Sequence, residues 1–318
     1  MSAKPVGVLV MSYGTPEHMD QVESYYTHIR RGRPPSPEQV QQLKARYEAI
    51  GGTFPLRQRT LDQVNALQKS LDRLAGRLGI SFRCFQGLKH ASPLIEEGVE
   101  NMVKEGIEEA VGIVLAPHYS AMSVGDYIQR AEKAAAEKKI RITCVKEYHL
   151  HPLLIEAWAK RIREGLLQFE EEVRSQVHIL FTAHSLPEKI LKWNDPYPDQ
   201  VLTTAKSIMD RLRLVNPWQV AWQSQGQTEE PWLGPELPEV LKTLKQKGVN
   251  HVLISPIGFV SDHLETLYDL DIEAQNVARS IGLELKRTPA LNHDPLFIDV
   301  LTDRIIQAYK GVMAHDPS

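Results

Sequence analysis

Cysteine is scarce: the chain has Cys84 and Cys144 only, far apart, and no C-x-x-C pair. A structural zinc site or an iron–sulfur cluster therefore lacks a ligand set. Each cysteine sits in an apolar, strand-like run, so both are expected as small buried side chains. Charge of one sign is also missing. Lys and Arg number 37, Asp and Glu 40, and the net charge is -3. No global basic field favours nucleic acid as a partner. No run approaches the ~18 apolar residues of a membrane-spanning helix. The apolar stretch from Val6 to Met11 is a strand's length and not a signal-peptide core. The expected location is the cytoplasm. Nucleotide signatures are absent too. There is no G-x-x-x-x-G-K-[ST], and the turn after the first apolar run is Ser12-Tyr13-Gly14-Thr15-Pro16, not G-x-G-x-x-G. H-E-x-x-H is also lacking.

What is present is ordinary for a globular protein: 42% hydrophobic and 24% charged residues. A length of 318 residues suggests two domains, at roughly 150 residues each. Short apolar β-type runs fall near residues 6–11, 81–86, 111–116, 140–146, 177–182, 218–222, 250–255 and 283–287. Helical patterns separate them. This alternation predicts an α/β fold with parallel sheets covered by helices on both faces. Domains are expected over 1–148 and 149–318, with a last helix (about 294–313) packing back on the first. Ser36-Pro37-Glu38-Gln39 has the capping-box pattern and opens a helix that stops at Gly51-Gly52. Ser92-Pro93 is read as opening another, closed by Gly106.

The chain centres on His184. The run His178-Ile179-Leu180-Phe181 reads as a buried strand that stops near the histidine, with Pro187 three residues on. Ligands of α/β proteins bind beyond the carboxyl ends of parallel strands, which puts His184 at a sheet's mouth. Leu9–Glu17 aligns without gaps on Leu180–Glu188, placing Tyr13 on His184, Pro16 on Pro187 and Glu17 on Glu188. The match runs from strand through turn into helix, and reads as a duplication.

Two further features carry chemistry. Between Thr15 and Thr60 an extra segment supplies Tyr25, Tyr26, His28, Arg30, Arg31, Arg33, Arg46 and Tyr47. Arginine forks grip carboxylates or phosphates, and aromatics stack on flat rings. The plain alternative is a solvated basic helix end complementing the dipole. After the run His251–Pro256 comes Ser261-Asp262-His263-Leu264-Glu265, then Asp269 and Glu273. Glu265, Asp269 and Glu273, spaced i, i+4, i+8, stack on one side of a helix, where like charges cost roughly 0.2–0.5 kcal/mol per pair. No lysine or arginine lies between Asp262 and Glu273, so a bound cation would relieve the ladder. Asp262 itself is read as a solvated acid at a helix start. His184 and Glu265 each follow a strand of the second domain and can converge. One imidazole and one carboxylate form an open site, suited to a metal that is passed on.

The motifs Leu9–Pro16, Tyr25–Arg33, Arg46–Gly52, Ala183–Pro187, Trp222–Ser224, Pro231–Pro235 and Gly258–Glu265 together resemble the ferrochelatases. The resemblance is to the soluble, monomeric kind of Gram-positive bacteria that puts iron into coproporphyrin III. It covers nearly the whole chain. It implies two Rossmann-like domains of chelatase type with a porphyrin cleft between them. It implies that His184 and Glu265 ligate the incoming iron and are the catalytic pair, with Asp269 and Glu273 an outer site for an additional divalent ion. It implies that Tyr13 is axial to the product iron, and that Arg30, Arg46, Tyr47 and Tyr127 bind the macrocycle. It implies that Arg31, Lys89 and His90 line the cleft. Phe54 departs from the pattern, standing where relatives carry a substrate-contacting serine. Coproporphyrin III and ferrous iron are then the substrates. No prosthetic group is required, and other haem-pathway enzymes are expected as transient partners.

The implied mechanism bends one pyrrole out of plane, a strain of ~1–5 kcal/mol supported by remote binding. His184 accepts pyrrole protons near neutral pH. Protoporphyrin IX or a sirohydrochlorin are alternative rings. A haem or metal carrier without turnover is the alternative of a different class.

Overall fold

The computed structural model describes residues 4–226 and 228–314. Eight strands form two separate four-stranded sheets. In the first, β1 (Val6–Ser12), β2 (Phe82–Leu88), β3 (Glu109–Val114) and β4 (Arg141–Val145) run parallel in the order β2-β1-β3-β4. In the second, β5 (His178–His184), β6 (Trp218–Gln223), β7 (His251–Ser255) and β8 (Glu284–Arg287) run parallel in the order β6-β5-β7-β8. All eight apolar runs are strands. The order is the same in both sheets, with the first strand of each half next to the centre. That shared order extends the local match between Leu9–Glu17 and Leu180–Glu188 to a whole sheet.

The central strands are apolar throughout because parallel sheets are covered on both faces. Every residue of β1 is buried. In the first half, α1 (Val22–Ile29), α2 (Pro37–Ala49) and α3 (Pro55–Leu78) all fall between β1 and β2. α4 (Ile95–Lys104) and α5 (Val124–Glu137) link the later strands. Their apolar stripes meet the sheet in one cluster that includes Leu9, Met11, Ile95, Met102, Val124 and Ala131. In the second half α6 (Pro152–Leu166) precedes β5, α7 (Tyr197–Leu212) follows it, and α8 (Leu237–Gln246) follows β6. A π-helix (Thr266–Ala274) and α9 (Gln275–Ser280) join β7 to β8. Leu180, Ala221, Val252 and Ile254 of the sheet pack there with Leu241, Leu270 and Ala274.

Contacts divide the chain into two units, residues up to Tyr148 with those from Asn292 onward, and His149–Leu291. The last helix, α10 (Pro295–Ala314), therefore belongs with the first sheet, where it packs on α3, β3 and β4. Phe297 and Leu301 are fully buried, and the Gln63 amide donates to the Asn292 carbonyl at 2.7 Å.

Three local expectations are corrected. The capping box of α2 is as read, with Ser36 Oγ accepting from Gln39 N–H and Gln39 Oε1 from Ser36 N–H. The helix assigned to Ser92-Pro93, however, begins at Ile95. The Glu97 carboxylate accepts from Leu94 N–H at 2.5 Å and from the Ser92 hydroxyl, which holds the preceding turn outside the helix. Cys84 and Cys144 are half-buried and free, because β2 and β4 are edge strands. Burial still pushes both thiols up to about 12. Asp262 is no solvated acid. It is buried and accepts from Arg287 at 2.9 Å.

Candidate active site

In the second unit the site forms at the carboxyl ends of β5, β6 and β7. His184 is the last residue of β5 and is half-buried. Its Nδ1–H donates to the Ser185 carbonyl at 2.5 Å, and the Tyr197 hydroxyl donates to the His184 carbonyl at 2.9 Å. The Nε2 lone pair is then the reactive face of the ring. Burial pulls the His184 pKa below its ordinary value, against the opposing pull of Glu265. The imidazole is thus neutral at pH 7, as both a metal ligand and a proton acceptor must be.

The loop after β7 brings the carboxylate. Gly258 allows it: a Cβ there would lie 2.5 Å from Ala183 Cβ and 2.6 Å from Ala183 Cα. Its N–H donates to the Thr182 carbonyl at 3.0 Å, which ties the loop to β5 beside His184. Phe259 fills the space between the two histidines, 6.3 Å from the His184 ring and 5.0 Å from His263. His263 Nε2 meets Glu265 Oε2 at 2.9 Å, and its Nδ1 donates to the Ser261 carbonyl at 2.9 Å. Burial alone would lower the His263 pKa. Glu265, the Ser261 carbonyl and Asp269 outweigh it, and the pKa is raised. Burial would raise Glu265, but His263 and His184 hold it down at about 2. His184 and Glu265 therefore each feel the other's charge.

The acidic ladder lies on the π-helix, a form that sequence pattern does not separate from an α-helix. Its i→i+5 bonding widens the turn and keeps i, i+4 and i+8 on one side. Glu265 is its N-cap, Asp269 is buried and Glu273 exposed. Asp269 accepts a hydrogen bond from the Ser224 hydroxyl. Among the described residues, no group of three or more His, Cys, Asp or Glu side chains is arranged to hold a metal ion. His184 at the end of β5 and Glu265 after β7 offer one imidazole and one carboxylate. His263 was not singled out in sequence, although it stands two residues before Glu265 in the quoted motif.

In the first unit the remaining candidates collect at the carboxyl ends of β1 and β2 and on α1, α2 and α5. Tyr13 directly follows β1 and is 38% exposed. Its ring meets His90 edge-on at 4.7 Å. His90 in turn contacts His28, their Nδ1 atoms 2.9 Å apart. Burial pushes the His90 pKa to about 3, helped by Lys89 and His28. Lys89 pairs with Asp126 at 2.7 Å and sits over the buried Tyr127 ring at 4.8 Å. Burial, then Tyr13, raises the Tyr127 pKa well above its ordinary value. Tyr47 stacks on Phe54 with centroids 4.5 Å apart, and its hydroxyl lies 3.1 Å from Thr15 Oγ1. Arg30 caps α1 and lies over Tyr26 at 5.9 Å, Arg31 follows with a positive φ of 57°, and half-buried Arg46 is in the last turn of α2. Gly14, at φ 85°, lets this turn close on Ala91. The pairings of His28 with His90 and of Lys89 with Asp126 were not legible in sequence.

Comparison with known proteins bears on this arrangement. The profile described as Ferrochelatase matches residues 5–309. The chain belongs to the ferrochelatase family. A ferrochelatase of Herpetosiphon aurantiacus is 45% identical over 303 residues, covering 95% of this chain and 98% of that protein. The coproporphyrin III ferrochelatase of Bacillus subtilis is 45% identical over 310 residues, 96% of this chain and 99% of that one. That of Geobacillus kaustophilus is 44% identical over 313 residues, 97% and 98% respectively. Among solved structures, SirB from Bacillus subtilis with Fe3+ is similar at TM-score 0.59 and 14% identity, covering 98% of both chains. That likeness supports the chelatase-like fold alone. As a ferrochelatase-family member the chain is a metal chelatase, and ferrous iron is its substrate.

Proposed function

We propose that this chain inserts ferrous iron into coproporphyrin III, giving the iron complex, coproheme. What supports the reading is that a neutral imidazole, His184, and an ionised carboxylate, Glu265, follow strands of the same parallel sheet and feel each other's charge. Such a pair binds a divalent ion and leaves coordination positions for pyrrole nitrogens. The Bacillus subtilis and Geobacillus kaustophilus relatives, matched over nearly their whole length and named for coproporphyrin III, support the choice of ring.

In this reading Arg30, Arg31 and Arg46 grip propionates, and Tyr47, Phe54 and Tyr127 contact the macrocycle. Four propionates make coproporphyrin strongly anionic, which suits an arginine-rich surface. Remote grip supports bending of one pyrrole, which exposes lone pairs that a flat ring hides. His184 Nε2 accepts pyrrole protons, and with Glu265 it presents the iron. His263 keeps Glu265 anionic until the ion arrives. Tyr13 ligates the product iron, and Lys89 and His90 orient it. Asp269 and Glu273 receive an additional divalent ion. Cytoplasmic location, a monomeric state and transient contacts with other haem-pathway enzymes belong to the same proposal.

The test is steady-state metallation under anaerobic conditions, with coproporphyrin III and protoporphyrin IX in parallel. Turnover of many equivalents of coproporphyrin III, with much slower protoporphyrin, is expected. Preference for protoporphyrin would move the assignment to that ring. Binding that stops at one equivalent would mark a carrier.

A further inference from the structure

Beneath the His184 side of the second sheet lies a polar atom that the proposed mechanism leaves unused. Gln223 ends β6 and is 3% exposed. Its Oε1 is buried and finds no hydrogen-bond partner among the described residues. A buried acceptor left unsatisfied is costly to the fold. Such an atom calls for a function or a ligand.

Its position narrows the choice. Gln223 is paired in register with His184 across the parallel strands β5 and β6. Residues so paired leave the same face of the sheet, about 4.8 Å apart along the bonding direction. The amide's orientation follows from its neighbours. Asp269 accepts the Ser224 hydroxyl proton, so Ser224 Oγ is an acceptor toward Gln223 Nε2, at 3.4 Å. The NH2 group is thereby turned to Ser224, and Oε1 points away from it. Ser224 holds this arrangement in a left-handed conformation, φ 60°, which a serine adopts at a cost.

Gln223 Oε1 thus belongs to the residue paired in register with His184, whose ring proton is on Nδ1, and Glu265 adds a carboxylate after β7. None of these three acceptors can donate to another. A hydrated divalent cation satisfies all three at once, because its bound waters point their protons outward. We propose that Gln223 is a substrate-binding residue for the incoming metal, its Oε1 accepting a hydrogen bond from a water carried on the ion. This rests on the assignment of His184 and Glu265 as the metal pair and deepens it. Gln223 holds the hydrated ion in place before the ring's nitrogens replace its waters. Thr182 Oγ1, fully buried two residues before His184, likewise finds no hydrogen-bond partner among the described residues. It lies one step deeper in the strand, and so serves as a control.

The experiment is calorimetric titration of the full chain with Zn2+, alongside metallation kinetics. His184→Ala should abolish Zn2+ binding. Unchanged binding there would refute the underlying site, whatever Gln223 does. With that established, Gln223→Leu should weaken Zn2+ about tenfold or more, as loss of an outer-shell partner does. The KM for metal should rise while the KM for porphyrin stays at the wild-type value. Gln223→Glu keeps the acceptor and adds charge, so it should bind Zn2+ more tightly than wild type. Thr182→Val should leave affinity unchanged. Wild-type affinity in Gln223→Leu overturns the proposal. So do equal losses in Thr182→Val, which would mark one shared structural water. If Gln223→Leu does not fold, Gln223→Glu decides, and equal or weaker binding there overturns it.

Discussion

Replacing Arg287 with methionine removes the cation that pins Asp262 in the segment leading to Glu265. Arg287, at the end of β8, donates from Nη1 to Asp262 at 2.9 Å and to the Thr288 carbonyl at 3.0 Å. Its Nε and Nη2 both reach Asp271 at 2.7 Å. The two carboxylates differ in burial: Asp262 has 11% of its side chain exposed and Asp271 has 41%. A buried pair broken from one side costs about 3–5 kcal/mol, because the other charge is left without compensation. An exposed pair is worth at most about 1 kcal/mol. Arg287→Met is therefore expected to destabilise by roughly 3 kcal/mol, nearly all of it through Asp262. Asp271→Asn should cost less than about 1 kcal/mol. Asp262 lies just before His263 and Glu265, so Arg287→Met should also lower metallation in the folded fraction. Urea unfolding followed by circular dichroism measures the stability terms. A loss in Asp271→Asn equal to that in Arg287→Met would refute the reasoning, since burial would then not decide the cost.

Three other outcomes are expected. Gly258→Ala places a methyl group against the backbone of Ala183; overpacking of this kind costs about 1–3 kcal/mol, and kcat should fall as the loop shifts. Thermal unfolding at the wild-type midpoint would contradict the close approach. Glu265 is held at about 2 against an ordinary 4.5, so its contribution is complete above 4.5 and is lost as pH falls towards 2. Wild type should then lose stability faster than Glu265→Gln over that window, and parallel losses in acid titration would count against the pair. Cys84 and Cys144, pushed to about 12, should react slowly with a thiol reagent at pH 8 in the native protein and quickly in urea; fast native labelling would refute it.

The four central strands, β1, β3, β5 and β7, were legible because a strand covered on both faces must be apolar nearly throughout, and such runs stand out; the edge strands, down to Glu284–Arg287 with a single buried residue, were weaker signals placed by the regular alternation with helices. The order β2-β1-β3-β4 was not, since a helical crossover of given length reaches either side of its strand. The π-helix was hidden for a different reason: Glu265, Asp269 and Glu273 fall on one side in either helix form. Asp262 was misread because its partner, Arg287, comes 25 residues later, after the turn into β8. A search confined to neighbouring charges misses any ion pair closed by the fold. The half-burial of the cysteines followed from strand order, which put β2 and β4 at edges. The places of His184 and Glu265 after strands of one parallel sheet were legible, because each comes after an apolar run. The supporting contacts of Phe259, His263 and Gln223 depend on register and loop path. Sequence spacing does not encode either.

The central claim is that His184 and Glu265 together deliver iron to a tetrapyrrole. Anaerobic metallation of coproporphyrin III, followed by absorbance in wild type, His184→Ala and Glu265→Gln, tests it most directly. Loss of an acid–base group costs about 10²–10⁴ in rate, and both variants should fall by at least the lower figure while still binding the ring. Wild-type turnover in either variant would contradict the account.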